Sequence, residues 1–290
     1  MKILFVAAEV APYVSVGGLS QVMYFLPKAL RNMGHDVRIF TAKYGAMDET
    51  APKGTWELHT EMNKLAVPVG GTQDESIFCN VKSFRNKENK TLAYFLENRE
   101  YYELRANVFS YRDDHLRFAL LSKGCLEWLY QVKQTQDDPW FPDLIHCHDW
   151  HTSYFIDLAR RDPRYISFLE RTPLILTVHN FSYQGNYDFR YAPREDYDTG
   201  KSLLAPLTSA QLQKQNALKR GLLSADAINT VSPTHAVEVL TPEYAEGLDD
   251  VLQEIRERLT GILNGLDTKR FDPRTDKTLR KRFDHLSFLK

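Results

Sequence analysis

The stretch Lys2-Ile-Leu-Phe-Val-Ala-Ala8, followed by Glu9, Pro12 and the pair Gly17-Gly18, decides the fold of this chain. A continuous apolar run that enters a glycine turn has the pattern of a parallel strand buried on both faces. Helical spacing takes over from Val22: Phe25, Leu26, Ala29, Leu30 and Met33 are predicted on one face, with Gly34 as the C-terminal stop. Asp36 to Ala42 reads as the second strand. Such a βαβ unit begins a doubly wound sheet whose ligands bind outside the carboxyl ends of the strands, so residues 9 to 20 lie where chemistry is expected.

Further along, residues 54 to 97 alternate in short runs (Leu65-Ala-Val-Pro-Val69, Ser76 to Val81, Thr91 to Leu96) and predict antiparallel strands near a sheet edge. Leu116, Ala119, Leu120, Gly124, Trp128 and Val132 predict a long helix that Pro139 and Pro142 break. Three strands then end in polar residues: Asp143 to His148, Pro173 to His179, and Ala225 to Val231. A last strand is expected at Gly261 to Asn264, and a helix at Lys277 to Lys290.

The 290 residues are 43% hydrophobic, enough for a sizeable core. With 37 basic against 38 acidic residues there is no global field for nucleic acid or an anionic membrane, and neither partner is expected. Cys79, Cys125 and Cys147 are odd in number and widely spaced, which argues against a disulfide framework and for a cytoplasmic location. The first apolar run meets Glu9 too soon for a signal peptide or a membrane span.

The polar strand ends carry the candidate chemistry. In His146-Cys-His148-Asp149-Trp150-His151, two histidines at i and i+2 share a face and can in principle ligate zinc. No cysteine or glutamate completes a recognised zinc spacing, so no metal is expected. His146 by itself reads as a core histidine. Asp149 is costly at the end of a central strand unless solvated, paired or used, and is read as functional. His179, Asn180 and Tyr183-Gln184-Gly185 form a polar lip beside it if the strands are neighbours. Gly17-Gly18 offers backbone N–H groups to a phosphate, but the Gly-X-Gly-X-X-Gly fingerprint is lacking, which disfavours a nicotinamide oxidoreductase. Trp150, Tyr183, Tyr101 and Tyr102 are candidates for stacking on sugars.

Ala8-Glu9-Val-Ala-Pro12 with Gly17-Gly18-Leu19, the His146 to His151 segment, Thr177-Val-His179-Asn180 with Tyr183-Gln184-Gly185, Thr230-Val-Ser232-Pro233-Thr234 and Leu263-Asn264-Gly265-Leu-Asp267 occur in family order. Together they resemble the bacterial glycogen synthase and plant starch synthase family. The resemblance implies an α/β, Rossmann-like, mostly parallel sheet forming the N-terminal half of a GT-B glycosyltransferase over residues 1–268, with 269–290 starting a linker toward a second domain. It implies a retaining transfer of glucose from ADP-glucose to the nonreducing end of an α-1,4-glucan, without metal or other cofactor.

Carried over by motif, Asp149 hydrogen-bonds sugar, Trp150 lines the acceptor side, and His179 sits against the transferred glucose. Asn264 contacts the donor sugar, Gly17 and Gly18 approach the ADP phosphates, Glu9 and Tyr183 line the cleft, and Gln184 belongs to the same lip. Two positions depart from the family: its first-motif lysine is Ser15 here, and the usual aspartate is Gln21. In the family the second domain carries the cations for the pyrophosphate, so these residues alone are expected to be nearly inactive. A non-catalytic α-glucan-binding or regulatory protein derived from this family is the alternative.

Overall fold

A computed structural model describes residues 1–47, 56–71, 73–185, 193–268 and 271–287. Its centre is β1 (Lys2–Val6), from which only Lys2 reaches the surface. β2 (Asp36–Ala42) pairs parallel to one side and β6 (Leu144–His148) to the other. Sequence-adjacent β1 and β2 thus extend the sheet one way while β6 starts the other half. The switch point lies between β1 and β6, where a doubly wound sheet opens its crevice.

β7 (Leu174–Val178), β8 (Ala227–Thr230) and β9 (Leu259–Gly261) continue the parallel half. On the far side β5 (Leu92–Glu97) runs parallel to β2, and β4 (Gln73–Arg85) and β3 (His59–Gly70) close that edge as an antiparallel pair. The nine strands form one sheet in the order β3-β4-β5-β2-β1-β6-β7-β8-β9.

Three expectations fail. In α1 (Gly18–Asn32) the buried positions are Leu19, Ser20, Met23 and Pro27, whereas Ala29 and Met33 are exposed. The apolar stripe is wider than one face, and the side that docks on β1 and β2 is turned toward Met23. The last strand falls two residues early, at Leu259–Gly261, because it is set by pairing with Ile228 to Thr230. Residues 277–287 form turns with no helix among them, and 288–290 lie outside the described residues. This basic stretch offers no continuous apolar face to bury.

Two cores flank the sheet. The smaller packs α1 against β1, β2 and β5 through Phe5, Met23, Ile39 and Phe95. The larger holds α2 (Asp114–Thr135), α3 (Asp149–Arg161), α4 (Pro163–Leu169) and α5 (Ala217–Ser224). α2 is buried on nearly every side, so it carries polar residues inside, several of them with partners. Glu127, fully buried, takes two bonds from Arg164 (2.5 and 3.0 Å) and one from the Tyr165 hydroxyl.

α3 and α5 meet at a glycine. A Cβ on Gly221 would stand 2.5 Å from Ser153 Oγ and 3.1 Å from Ser153 Cα, so only hydrogen permits that approach. Beside it the fully buried Arg220 bonds Asp198 (2.8 and 2.9 Å), Asp157 (3.3 Å) and the Ser202 carbonyl (2.7 Å), fastening the 198–202 segment to both helices. Among the described residues no helix is long and apolar enough to cross a membrane. Gly221→Ala is expected to lower stability by ~1–3 kcal/mol through overpacking, read as a fall in the urea midpoint with unchanged slope.

Candidate active site

The carboxyl ends of β1, β6, β7, β8 and β9 form a rim on which the candidate residues stand in strand order. Above β1 the chain turns through Glu9 to Gly18. Glu9 is buried, and its Oε2 accepts from the backbone N–H groups of Val16 (2.6 Å) and Gly17 (3.0 Å). The Gly17 N–H thus bonds the protein's own carboxylate, and Glu9, expected to line the cleft, is buried beneath the loop. Ser15 and Gly18 are exposed on this loop, and Ser15 Oγ lies 2.7 Å from Ser20 Oγ, which donates to the Gly17 carbonyl. Residues 9 to 20 contain neither lysine nor arginine.

At the end of β6 the backbone of Asp149 takes φ +58, a left-handed conformation that costs a non-glycine residue of order 1–3 kcal/mol. It points the carboxylate to β7, where Oδ1 accepts the His179 N–H at 2.7 Å and the Asn180 N–H adds a second bond. Burial pushes the Asp149 carboxyl up to about 7; those two N–H bonds oppose the shift, and the Glu9 charge adds to it. Asp149 thus fixes the backbone of His179.

The histidines form a ladder across these strand ends. His146 stacks on His148 with centroids 4.4 Å apart, and His148 on His179 at 5.4 Å. Thr177 Oγ1 gives its proton to Asn229 Oδ1 and so accepts from His146 Nε2, which assigns that ring its tautomer. His148 Nδ1 and His179 Nε2 share one proton at 3.1 Å. Burial, aided by neighbouring histidines, lowers His146 to about 3 and His148 well below its ordinary value, and burial alone lowers His179 to about 4. All three rings are neutral at pH 7, and His179 is the half-buried end of the ladder. His151 leaves the rim for the core, packed on Phe109, Phe118 and Trp150.

Trp150 begins a separate cavity of about 440 Å³. Its ring is buried against Phe118 and roofed by the turn at Gly185, which has φ +71 and whose added Cβ would lie 2.0 Å from the indole. Tyr183, 66% exposed, stands at the mouth, so its ring is available to a ligand. Gln184 is held by the Glu246 carbonyl (2.8 Å) and by Asn216 (2.6 Å). The structure therefore gathers Trp150, Tyr183 and Gln184 in one cavity and joins Asp149 to His179 beside it. Asn264 is exposed beyond β9 and does not line that cavity.

Tyr111, Arg112 and His115 at the start of α2 and Lys219 on α5 also line the cavity. No strand-end pattern marked them, since helix starts are polar in any protein. Tyr102, a stacking candidate, is buried, and its hydroxyl bonds the Arg117 carbonyl at 2.8 Å. Tyr101 is half-buried.

The family model for the starch synthase catalytic domain matches residues 2–254. Glycogen synthase of Geotalea daltonii is 36% identical over 291 residues, covering 98% of this chain and 56% of that protein. The Bacillus subtilis glycogen synthase is 34% identical, with 98% and 55% covered. Among solved structures, the catalytic domain of starch synthase IV from Arabidopsis thaliana, bound to ADP and acarbose, superposes with TM-score 0.74 at 28% identity over 97% of this chain and 55% of that one. The chain spans about half the length of the curated relatives it matches.

Asp149 keeps its proton more tightly when folded than when unfolded, so its contribution to stability falls as pH rises from about 4 to about 7 and is flat above. Asp149→Asn keeps an acceptor for His179 and removes this slope. Its stability relative to the parent is expected to rise by about 2–3 kcal/mol between pH 5 and pH 8 in urea titrations. Gly185→Ala is expected to lose about 1–3 kcal/mol and to shift the Trp150 emission maximum.

Proposed function

We propose, on the premise that the chain belongs to the starch synthase catalytic-domain family, that it forms the acceptor-side half of a retaining glucosyltransferase. The reaction moves glucose from ADP-glucose to the nonreducing end of an α-1,4-glucan in the cytoplasm. The observation that carries this is the cavity walled by Trp150, with the exposed Tyr183 ring at its mouth, set against the Asp149–His179 bond: an aromatic ring for a sugar chain beside a rigid, neutral hydrogen-bonding group. The relative solved with ADP and acarbose supports both ligand classes, a nucleotide and an oligosaccharide.

A retaining transfer passes through an oxocarbenium-like sugar, which gains from fixed acceptor dipoles close to the anomeric carbon. Two backbone N–H bonds to Asp149 hold residues 179 and 180, so the His179 carbonyl keeps one direction while the donor bond stretches. The neutral His179 ring exchanges hydrogen bonds with hydroxyls and brings no positive charge toward the forming cation. Asn264 contacts the donor sugar from the β9 side, and Gly18 and Ser15 lie along the path to the diphosphate. Cations for that diphosphate come from outside residues 9 to 20, which have none. No metal or other cofactor takes part in this scheme.

Residues 1–268 act as the folding unit and 269–290 as the lead toward a second domain. The three buried free cysteines suit a reducing compartment. A non-catalytic glucan-binding protein is the second reading, favoured by Ser15 in place of the family lysine and by Glu9 on the loop amides.

Maltoheptaose is expected to quench the tryptophan fluorescence of the chain, with affinity reduced at least about tenfold in Trp150→Ala, which removes the wall of the cavity and the support of the Gly185 turn. Elongation from ADP-glucose by these 290 residues alone is expected at background. Unchanged affinity in Trp150→Ala would refute the acceptor site. Robust elongation would refute the need for a second half.

A further inference from the structure

Away from the rim, a cavity of about 530 Å³ opens beside the far ends of α3 and β3. Its walls are the β3–β4 turn at Gly70 and Gly71, the 203–207 segment, and the corner between α3 and α4. Asp157, at its floor, is eight positions along α3 from Asp149, about 12 Å by helix rise. The cavity is separate from the one above Trp150.

Three cations (Lys123, Arg161 and Arg164) and three carboxylates (Glu75, Asp157 and Asp162) line it, and two of the cations are committed. Arg161 pairs with Asp157 at 2.9 Å, and Arg164 forks onto Glu127. Lys123, at 5% exposure, makes no hydrogen bond or ion pair among the described residues. The carboxylates of Asp162, which caps α4 through the Arg164 N–H, and Glu127 act on it only at longer range, and burial holds its ammonium below the usual lysine value. A buried ammonium without a partner is a standing cost to the fold.

The wall facing that ammonium is bare backbone. A Cβ on Gly70 would stand 3.3 Å from Lys123 Nζ, and one on Gly71 would stand 2.7 Å from Pro206; both glycines have positive φ, +98 and +76. The two glycines let the β3–β4 turn approach Lys123 and Pro206 closely, so the ammonium lies against bare backbone on that side. Val69, Leu158 and Leu207 give the rest of the cavity an apolar surface.

We propose that this cavity binds a small metabolite bearing a phosphate or carboxylate, its anionic group on the Lys123 ammonium beside Gly70 and its body against Val69, Leu158 and Leu207. A single ammonium acts as a point charge that accepts either oxyanion, and the enclosed volume limits the ligand to a small molecule. The 198–207 segment links the two cavities: Asp198 lines the one above Trp150, and Leu203 to Leu207 line this one. The site stands independently of the glucosyl-transfer reading.

The test is thermal melting and calorimetry of the full chain with inorganic phosphate, glycerol 3-phosphate and pyruvate as probes. At least one probe is expected to raise the melting temperature of the parent by mass action. Lys123→Met, and Lys123→Gln as a second neutral variant, should bind that probe at least about tenfold more weakly, while Lys123→Arg keeps the response. Lys123→Met should also melt above the parent when no probe is present. A response to the two phosphates alone assigns the site to phosphate, and a response to pyruvate alone assigns it to carboxylate. The proposal falls if no probe binds, if the neutral variants bind as the parent does, or if ADP-glucose or maltoheptaose displaces the probe.

Discussion

The bond from the His179 N–H to Asp149 Oδ1 at 2.7 Å is the constraint on which the rim depends. It joins the ends of β6 and β7, where the ladder of backbone bonds has stopped. To make it, Asp149 adopts a left-handed backbone and gives up contact with water. The same choice starts α3 with Trp150 turned toward its cavity and leaves His179 at the end of a row of neutral rings. A strained, desolvated carboxylate persists because the sheet below and the helix layer around it leave no alternative position.

Beneath the rim, α2 and α3 transmit this arrangement to the rest of the larger core. Arg220 and Glu127 are buried charges that each gather several partners, so breaking one partner would leave an unpaired charge inside. Their effect is to hold the 198–202 segment against α3 and α5, and α4 against α2. Both cavities are walled by chain fixed in this way, which keeps them open although neither lies within one regular element.

Glu9 plays a comparable part above β1. A helix N-terminus with glycines is open to anions in general, yet here the protein supplies its own anion to the Val16 and Gly17 amides. The loop is ordered by that carboxylate, and what it offers to another molecule is the Ser15 and Gly18 side. The inward glutamate and the lack of lysine and arginine in residues 9 to 20 act in one direction, lowering the positive potential over the loop.

The sequence by itself determined the strands and their order of use. β1, β2, β6, β7 and β8 each have an apolar run closed by polar residues, and that pattern depends only on local burial on two faces. It also determined that Asp149, Trp150, His179 and Tyr183 stand at strand ends, and the family to which the chain belongs. Only the tertiary structure decided which face of α1 docks, where β9 stops, that Glu9 turns in to the loop amides, and that Tyr111, His115 and Lys219 join Trp150. Each of these depends on groups far apart in the chain, whose distance is set when the sheet and helices close on one another and not by any spacing along the polymer.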